Sequence, residues 1–184
     1  ARIRKTNRFY SDPKAFVELL AQDIAKISKK ALKLNMVPAI RLNGTSDLPW
    51  ESLRGNQKIS LMDRFPDVQF YDYTKNPKRA LSHAAGRMPS NYHLTFSRSE
   101  CNHDDVDRVL SAGGNVAAVF DTGRKGTLPV VTSNGIDIID GDASDLRFTD
   151  RKHAKGAPGS YVGLRAKGDA IGDTSGFVIN VASM

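Results

Sequence analysis

Four β-rich runs, each followed by a helix-like stretch, constrain the fold of this chain more than any other feature. They are Pro38-Ala39-Ile40-Arg41-Leu42-Asn43, Val68-Gln69-Phe70-Tyr71-Asp72-Tyr73-Thr74, Asn91-Tyr92-His93-Leu94-Thr95-Phe96-Ser97 and Asn115-Val116-Ala117-Ala118-Val119-Phe120-Asp121. Their starts lie 30, 23 and 24 residues apart, close to one strand plus one returning helix in consecutive βαβ units. The spacing predicts an α/β fold with a mostly parallel sheet, either an open sheet or an incomplete TIM-like barrel. Ligand sites in such sheets lie beyond the carboxyl ends of the strands. Here those ends carry Asn43, Ser46, Asp47, Asp72, Lys75, Ser97, Ser99, Glu100 and Asp121.

A chain of 184 residues with this apolar fraction buries one sizeable core, so a single α/β domain over 1–184 is expected, with a basic N-terminal arm and helix over 1–35. No apolar run is long enough to span a bilayer, and the basic start lacks the apolar segment of a signal peptide. The single cysteine, Cys101, excludes an internal disulfide or a cysteine cage for a metal. That usage suits a reducing cytoplasm. The chain opens at Ala1 inside a basic stretch, which is compatible with a fragment of something longer.

The charge is unevenly spread. Residues 1–34 hold nine basic side chains (Arg2, Arg4, Lys5, Arg8, Lys14, Lys26, Lys29, Lys30, Lys33) against Asp12, Glu18 and Asp23, which leaves six of the seven net positive charges there. A basic helix on a nearly neutral body suits nucleic acid or another polyanion. It equally suits a solvated amphipathic helix.

That helix is the clearest local element. Asp12 is a fit N-cap, Pro13 suits the first turn, and Phe16, Leu19, Leu20, Asp23, Ile24, Ile27, Ala31 and Leu34 trace a helical stripe. Asn35 suits the C′ position and Pro38 prevents continuation. Further helices are expected over 57–64, from Asn76-Pro77 to about Gly86, and after Asn102 with Val106, Val109 and Leu110 inward. Gly113-Gly114 ends the last of these. Past Asp121 the rhythm changes. Thr122 to Gly126 reads as a basic loop, and Leu128–Val131 and Ile136–Ile139 flank a hairpin-like Ser133-Asn134-Gly135. Asp145 to Phe148 reads as a short helix and 151–159 as a mobile loop. Two late strands, Tyr161–Arg165 and Gly176–Val181, extend the sheet or pair as an antiparallel edge hairpin.

Two charged sets are candidates for chemistry. Asp47, Asp72, Glu100 and Asp121 come from successive units, with Asp140 and Asp142 from the next. Converging carboxylates suit Mg²⁺ or Mn²⁺ and phosphoryl chemistry, with Asp47 and Asp72 as the expected metal ligands. The same acids also serve as turn formers and helix caps. The basic set is Arg41, Lys75, Arg98, Arg124, Lys125, Arg147, Arg165 and Lys167. Arg41, Asn43, Ser46, Lys75, Ser97, Arg165 and Lys167 are the expected substrate contacts. Paired surface charges are the alternative. His93 reads as a general base or a hydrogen-bonded core residue. Trp50, Tyr71 and Tyr73 offer stacking surfaces or belong to the core.

Several runs together resemble a known family: Arg41 to Asp47, Phe70 to Lys75, Asn91 to Ser97, Asp140-Gly141-Asp142 with Asp145 to Phe148, and Val162 to Gly168. They resemble the gene product 88-like proteins of phages and plasmids, over about residues 1–178. The resemblance implies a mobile-element origin, action inside a host cell, and a cysteine-containing segment upstream of the point matching Ala1. It implies no reaction and no catalytic residues. The resulting expectation is a metal-dependent nucleic-acid or nucleotide phosphodiester hydrolase or transferase. The alternative is a non-catalytic phage protein that binds nucleic acid or a host factor.

Overall fold

The computed structural model describes residues 2–123, 125–151, 153–154 and 156–183. Arg124 of the basic loop, and Lys152 and Lys155 of the 151–159 segment, lie outside the described residues. The chain's contacts divide into two compact units, one of residues 1–71 with 88–92 and the other of 72–87 with 93–184.

The first unit opens with α1 (Arg2–Ser11), so the expected basic arm is itself helical, and continues with α2 (Pro13–Lys33). The Asp12 carboxylate accepts the Ala15 amide at 3.0 Å and Pro13 occupies the first turn. Such a cap stabilises a helix by about 1 kcal/mol. At the other end Met36 N donates to Ala31 O and Asn35 N to Leu32 O, with Asn35 at φ +51. This is a Schellman closure at the expected residue.

The buried ridge of α2 differs from the stripe read in the sequence. Val17, Ala21 and Ile24 are buried, whereas Ile27 and Leu34 are 48% and 58% exposed. Apolar spacing shows which side chains favour burial. It does not show how far the neighbours extend, and here full burial stops at Ile24.

The first strand shrinks to β1 (Ala39–Ile40), which leaves Arg41 beyond its end and exposed. The helix expected over 57–64 is the single turn α3 (Leu61–Arg64), started by a reciprocal Ser60–Asp63 capping box. Glu18 of α2 ties that turn down, its carboxylate 2.8 Å from Arg64 Nη1 and 2.9 Å from the Asn56 amide.

The remaining elements are β2 (Gln69–Thr74), α4 (Pro77–Ala84), β3 (Tyr92–Ser97), α5 (His103–Ser111), β4 (Val116–Asp121), β5 (Ile138–Asp140), β6 (Tyr161–Arg165) and β7 (Val178–Asn180). Arg147–Thr149 forms a 3₁₀ turn where the short helix was expected. Val106, Val109 and Leu110 of α5 pack with Phe96 and Val116, and Gly113 leaves α5 at φ +84, a conformation that side chains rarely adopt.

The sheet has seven strands in the order β1-β2-β3-β4-β6-β5, with β7 also on β4. It is an open sheet and not a barrel. The pairings of β1 with β2, β3 with β4, β4 with β6, β4 with β7 and β5 with β6 are all parallel. Of the two arrangements expected of the late strands, extension of the sheet holds and the antiparallel edge hairpin is corrected: β6 and β7 each run parallel to β4. An isolated antiparallel bridge, Val131 to Asp137, is what the described residues show of the earlier hairpin, and Ile138–Asp140 goes on to pair with β6.

Strand β4 also splits the sheet. β6 occupies one of its edges from Val116 to Phe120. On the other edge β3 pairs at Val116 and Ala117, and β7 takes over at Val119 to Asp121. β3 therefore leaves the edge before β4 ends, and the fork opens toward the carboxyl termini.

Candidate functional site

Parallel pairing carries the ends of β3, β4, β5, β6 and β7 in one direction, so Ser97, Asp121, Asp140, Arg165 and Asn180 end on the same edge of the second unit. This is where α/β sheets bind ligands. Glu100 follows β3 on an exposed turn, and Asp121 is exposed at the end of β4.

The densest charge on that edge surrounds Arg165. Its Nη1 and Nη2 grip the Asp140 carboxylate at 2.9 and 3.0 Å, Nη1 also reaches Asp142 Oδ2 at 3.1 Å, and Nε donates to Gly126 O at 2.8 Å. Lys167 Nζ donates to Asp142 Oδ1 at 2.7 Å. The register explains the meeting. Asp140 is opposite Gly163, two residues before Arg165, so strand alternation places Arg165 on the face of Gly163.

The hydrogen bonds from Arg165 hold the Asp140 carboxyl below its ordinary range. Burial works to raise Asp142, but Lys167 and Arg165 together outweigh it and lower it. The Asp140 hydrogen bonds push the Arg165 guanidinium pKa upward in turn. Lys125, Asp142, Arg165 and Lys167 line an open depression of about 510 Å³.

The loop bearing the two acids is held from below. Gly141 N donates to Gly163 O at 2.8 Å. A Cβ on Gly141 would lie 2.6 Å from Val162 Cγ1 and 2.9 Å from Gly163 O, so only glycine lets the loop approach β6 this closely. Arg147, wholly buried, donates to the carbonyls of Ser144 and Gly141 and faces Asp150 at 3.5 Å. Burial raises the Asp150 carboxyl.

At the fork, Arg98 follows β3 directly. Its Nη1 donates to Gly176 O at 2.9 Å and Phe177 O at 2.8 Å, bridging β3 to the segment entering β7. Burial lowers its pKa. Asn102 turns its side chain back to the Ser97 carbonyl and the Ser99 amide, and so braces this turn instead of capping α5.

The other expected residues take varied positions. In the first unit Asn43 is buried, and its Oδ1 accepts Ser46 Oγ at 2.8 Å, Leu48 N at 3.0 Å and Trp50 Nε1 at 2.9 Å. Its Nδ2 donates to Leu48 O. Asn43 thus organises the 43–50 loop, and Ser46 is part of that network. Asp47 is exposed on the loop, and Arg41 Nε donates to Asn43 O at 3.3 Å. Trp50 is a core residue, stacked on Phe16 and edge-on to Phe9.

In the second unit Asp72 is wholly buried within β2, Lys75 is exposed just after it, and buried Arg79 reaches Thr74 Oγ1 at 3.4 Å. His93 meets His83 edge-on with ring centroids 4.8 Å apart, and burial lowers His83. Among the described residues, no group of three or more His, Cys, Asp or Glu side chains is arranged to hold a metal ion. No helix among them is long and apolar enough to cross a membrane.

Sequence reading missed the roles of half-buried Arg98 and buried Arg147 as clamps, because both look like ordinary loop cations. It placed Asp140 and Asp142 among the acids and Arg165 and Lys167 among the cations, as separate sets. Only the β5–β6 register joins them.

The chain belongs to the gene product 88 family, whose model matches residues 1–181. No curated protein and no solved structure matches it.

Proposed function

We propose that the protein binds a phosphate-bearing polyanion, with nucleic acid as the best-fitting class, at the carboxyl edge of the second unit. One observation carries this reading: Lys125, Arg165 and Lys167, with the single acid Asp142, line an open depression beyond the ends of parallel strands. Cations on an exposed edge suit phosphate oxygens, and arginine held in a fixed plane suits them best. The first unit supports the reading through exposed Arg4, Lys5, Arg8, Lys14, Lys26, Lys29, Lys30 and Lys33 on α1 and α2. These supply long-range attraction whatever the base sequence.

Titration of labelled single- and double-stranded oligonucleotides across a salt series tests the proposal. Binding should weaken with salt, and Lys125→Ala with Lys167→Ala should reduce the salt slope by about 2. Unchanged affinity and slope in that double variant would sink the reading.

A second reading, phosphodiester hydrolysis or transfer with Mg²⁺ or Mn²⁺, rests on exposed Glu100 and Asp121 at the same edge. Two such oxygen donors match the hard-cation preference for carboxylates. It requires a divalent-dependent product that Glu100→Ala and Asp121→Ala abolish while oligonucleotide binding persists. Binding without any product leaves the protein a binder.

A further inference from the structure

We propose that Asp142 is an internal competitor for the phosphate site, and that the ligand group which displaces it is a terminal phosphate carrying two charges. This rests on the polyanion-binding reading above and names the chemical group that the depression takes.

The geometry separates the roles of the two acids. Asp140 grips Arg165 through both carboxylate oxygens, at 2.9 and 3.0 Å, and so sets the plane of the guanidinium. Asp142 instead spans two cations, with one oxygen 2.7 Å from Lys167 Nζ and the other 3.1 Å from Arg165 Nη1 and 3.0 Å from the Arg165 backbone amide. A carboxylate in that position presents two anionic oxygens as a phosphate does. Asp142 also lines the depression beside Lys125, whereas Asp140 does not.

The backbone beneath it is pinned by Gly141 N to Gly163 O, and by Arg147 to the Gly141 and Ser144 carbonyls. Rotation of the Asp142 side chain alone therefore releases Lys167, one face of Arg165 and the Arg165 backbone amide, all of which an incoming phosphate can take up. Asp140 keeps the guanidinium aimed throughout.

Formal charge then selects the ligand. Among the described residues, Lys125, Arg165 and Lys167 contribute three positive charges and Asp140 one negative, which leaves two to be neutralised once Asp142 swings out. A phosphomonoester near neutral pH carries nearly two negative charges. An internal phosphodiester carries one, no more than the carboxylate it must replace. The end of a nucleic acid or a mononucleotide therefore displaces Asp142 where an internal linkage gains little.

The experiment compares one oligonucleotide with a 5′-phosphate or a 5′-hydroxyl, by fluorescence anisotropy at low salt, on the wild type, Asp142→Asn and Asp142→Ser. The wild type should favour the phosphorylated form, and each variant should bind that form about tenfold more tightly than the wild type does, the scale of one charge-assisted hydrogen bond. The serine variant secures the comparison should the asparagine variant fold poorly. Equal affinity for both oligonucleotides in all three proteins overturns the terminal-phosphate assignment and leaves polyanion binding intact. Phosphate preference without tightening in either variant overturns the competitor role. Failure of all three proteins to bind either oligonucleotide overturns the parent reading with it.

Discussion

Replacing Asn43 by alanine tests whether the 43–50 loop is built around one side chain. Truncation strips three donors of their acceptor and one carbonyl of its donor. Ser46 is exposed and regains water, so its loss is small. Trp50 is 3% exposed, and its indole N–H would be left buried without an acceptor. An orphaned buried donor costs about 1–3 kcal/mol, and the half-buried Leu48 amide adds about 1 kcal/mol. The expected total is about 2–4 kcal/mol in urea unfolding.

Trp50 is the only tryptophan, so its fluorescence reports the same change directly. Acrylamide quenching should rise and emission should move to the red. Aspartate at position 43 keeps an acceptor for Trp50 but turns an oxygen toward the Leu48 carbonyl, so it should restore the fluorescence without restoring full stability. A loss below about 0.5 kcal/mol, the ordinary range for surface substitutions, with unchanged quenching would refute the account of Asn43 as organiser. It would return the side chain to the ligand-contact role that the sequence suggested.

Three further outcomes follow from the clamp under the charged edge. Gly141→Ala forces a Cβ against Val162 and the Gly163 carbonyl and should cost about 1–3 kcal/mol by chemical denaturation; a neutral result would mean that β5 and β6 separate easily. Arg147→Met leaves Asp150 buried without its partner and two carbonyls without a donor, and should cost about 3–5 kcal/mol; a thermal melt matching that of the wild type would refute the clamp. Asp140 has its folded-state pKa below the unfolded value near 3.8, so its stabilisation is complete above that value and is lost as the pH falls through the folded one. Urea midpoints measured from pH 5 down to pH 2.5 should therefore fall less steeply for Asp140→Asn than for the wild type, and parallel curves would contradict the ion pair.

Local chemistry was legible wherever a few neighbouring residues decide the outcome. The runs starting at Val68, Asn91 and Asn115 became strands at Gln69–Thr74, Tyr92–Ser97 and Val116–Asp121, because β-branched and aromatic residues bounded by turn formers leave few other solutions. Asp12, Pro13 and Asn35 bounded the long helix through hydrogen bonds and backbone angles internal to that stretch. The common direction of the strands was readable too, as it follows from parallel crossovers and not from any single residue.

Association across distance was decided elsewhere. Ile27 and Leu34 fit the apolar stripe of α2 and yet are exposed, since helical period cannot report where a neighbour ends. Tyr161–Arg165 and Val178–Asn180 read equally well as partners of each other, and only the competition for the two edges of β4 assigned both to it. Asp140 and Arg165 are separated by 25 residues, and their bidentate pair exists because β5 and β6 align in one register. Composition and short-range pattern thus determined the α/β class, the bounds of the long helix and of the three full-length strands, and the supply of charge. Strand pairing decided which charges meet, because its energy depends on partners that no local stretch of chain contains.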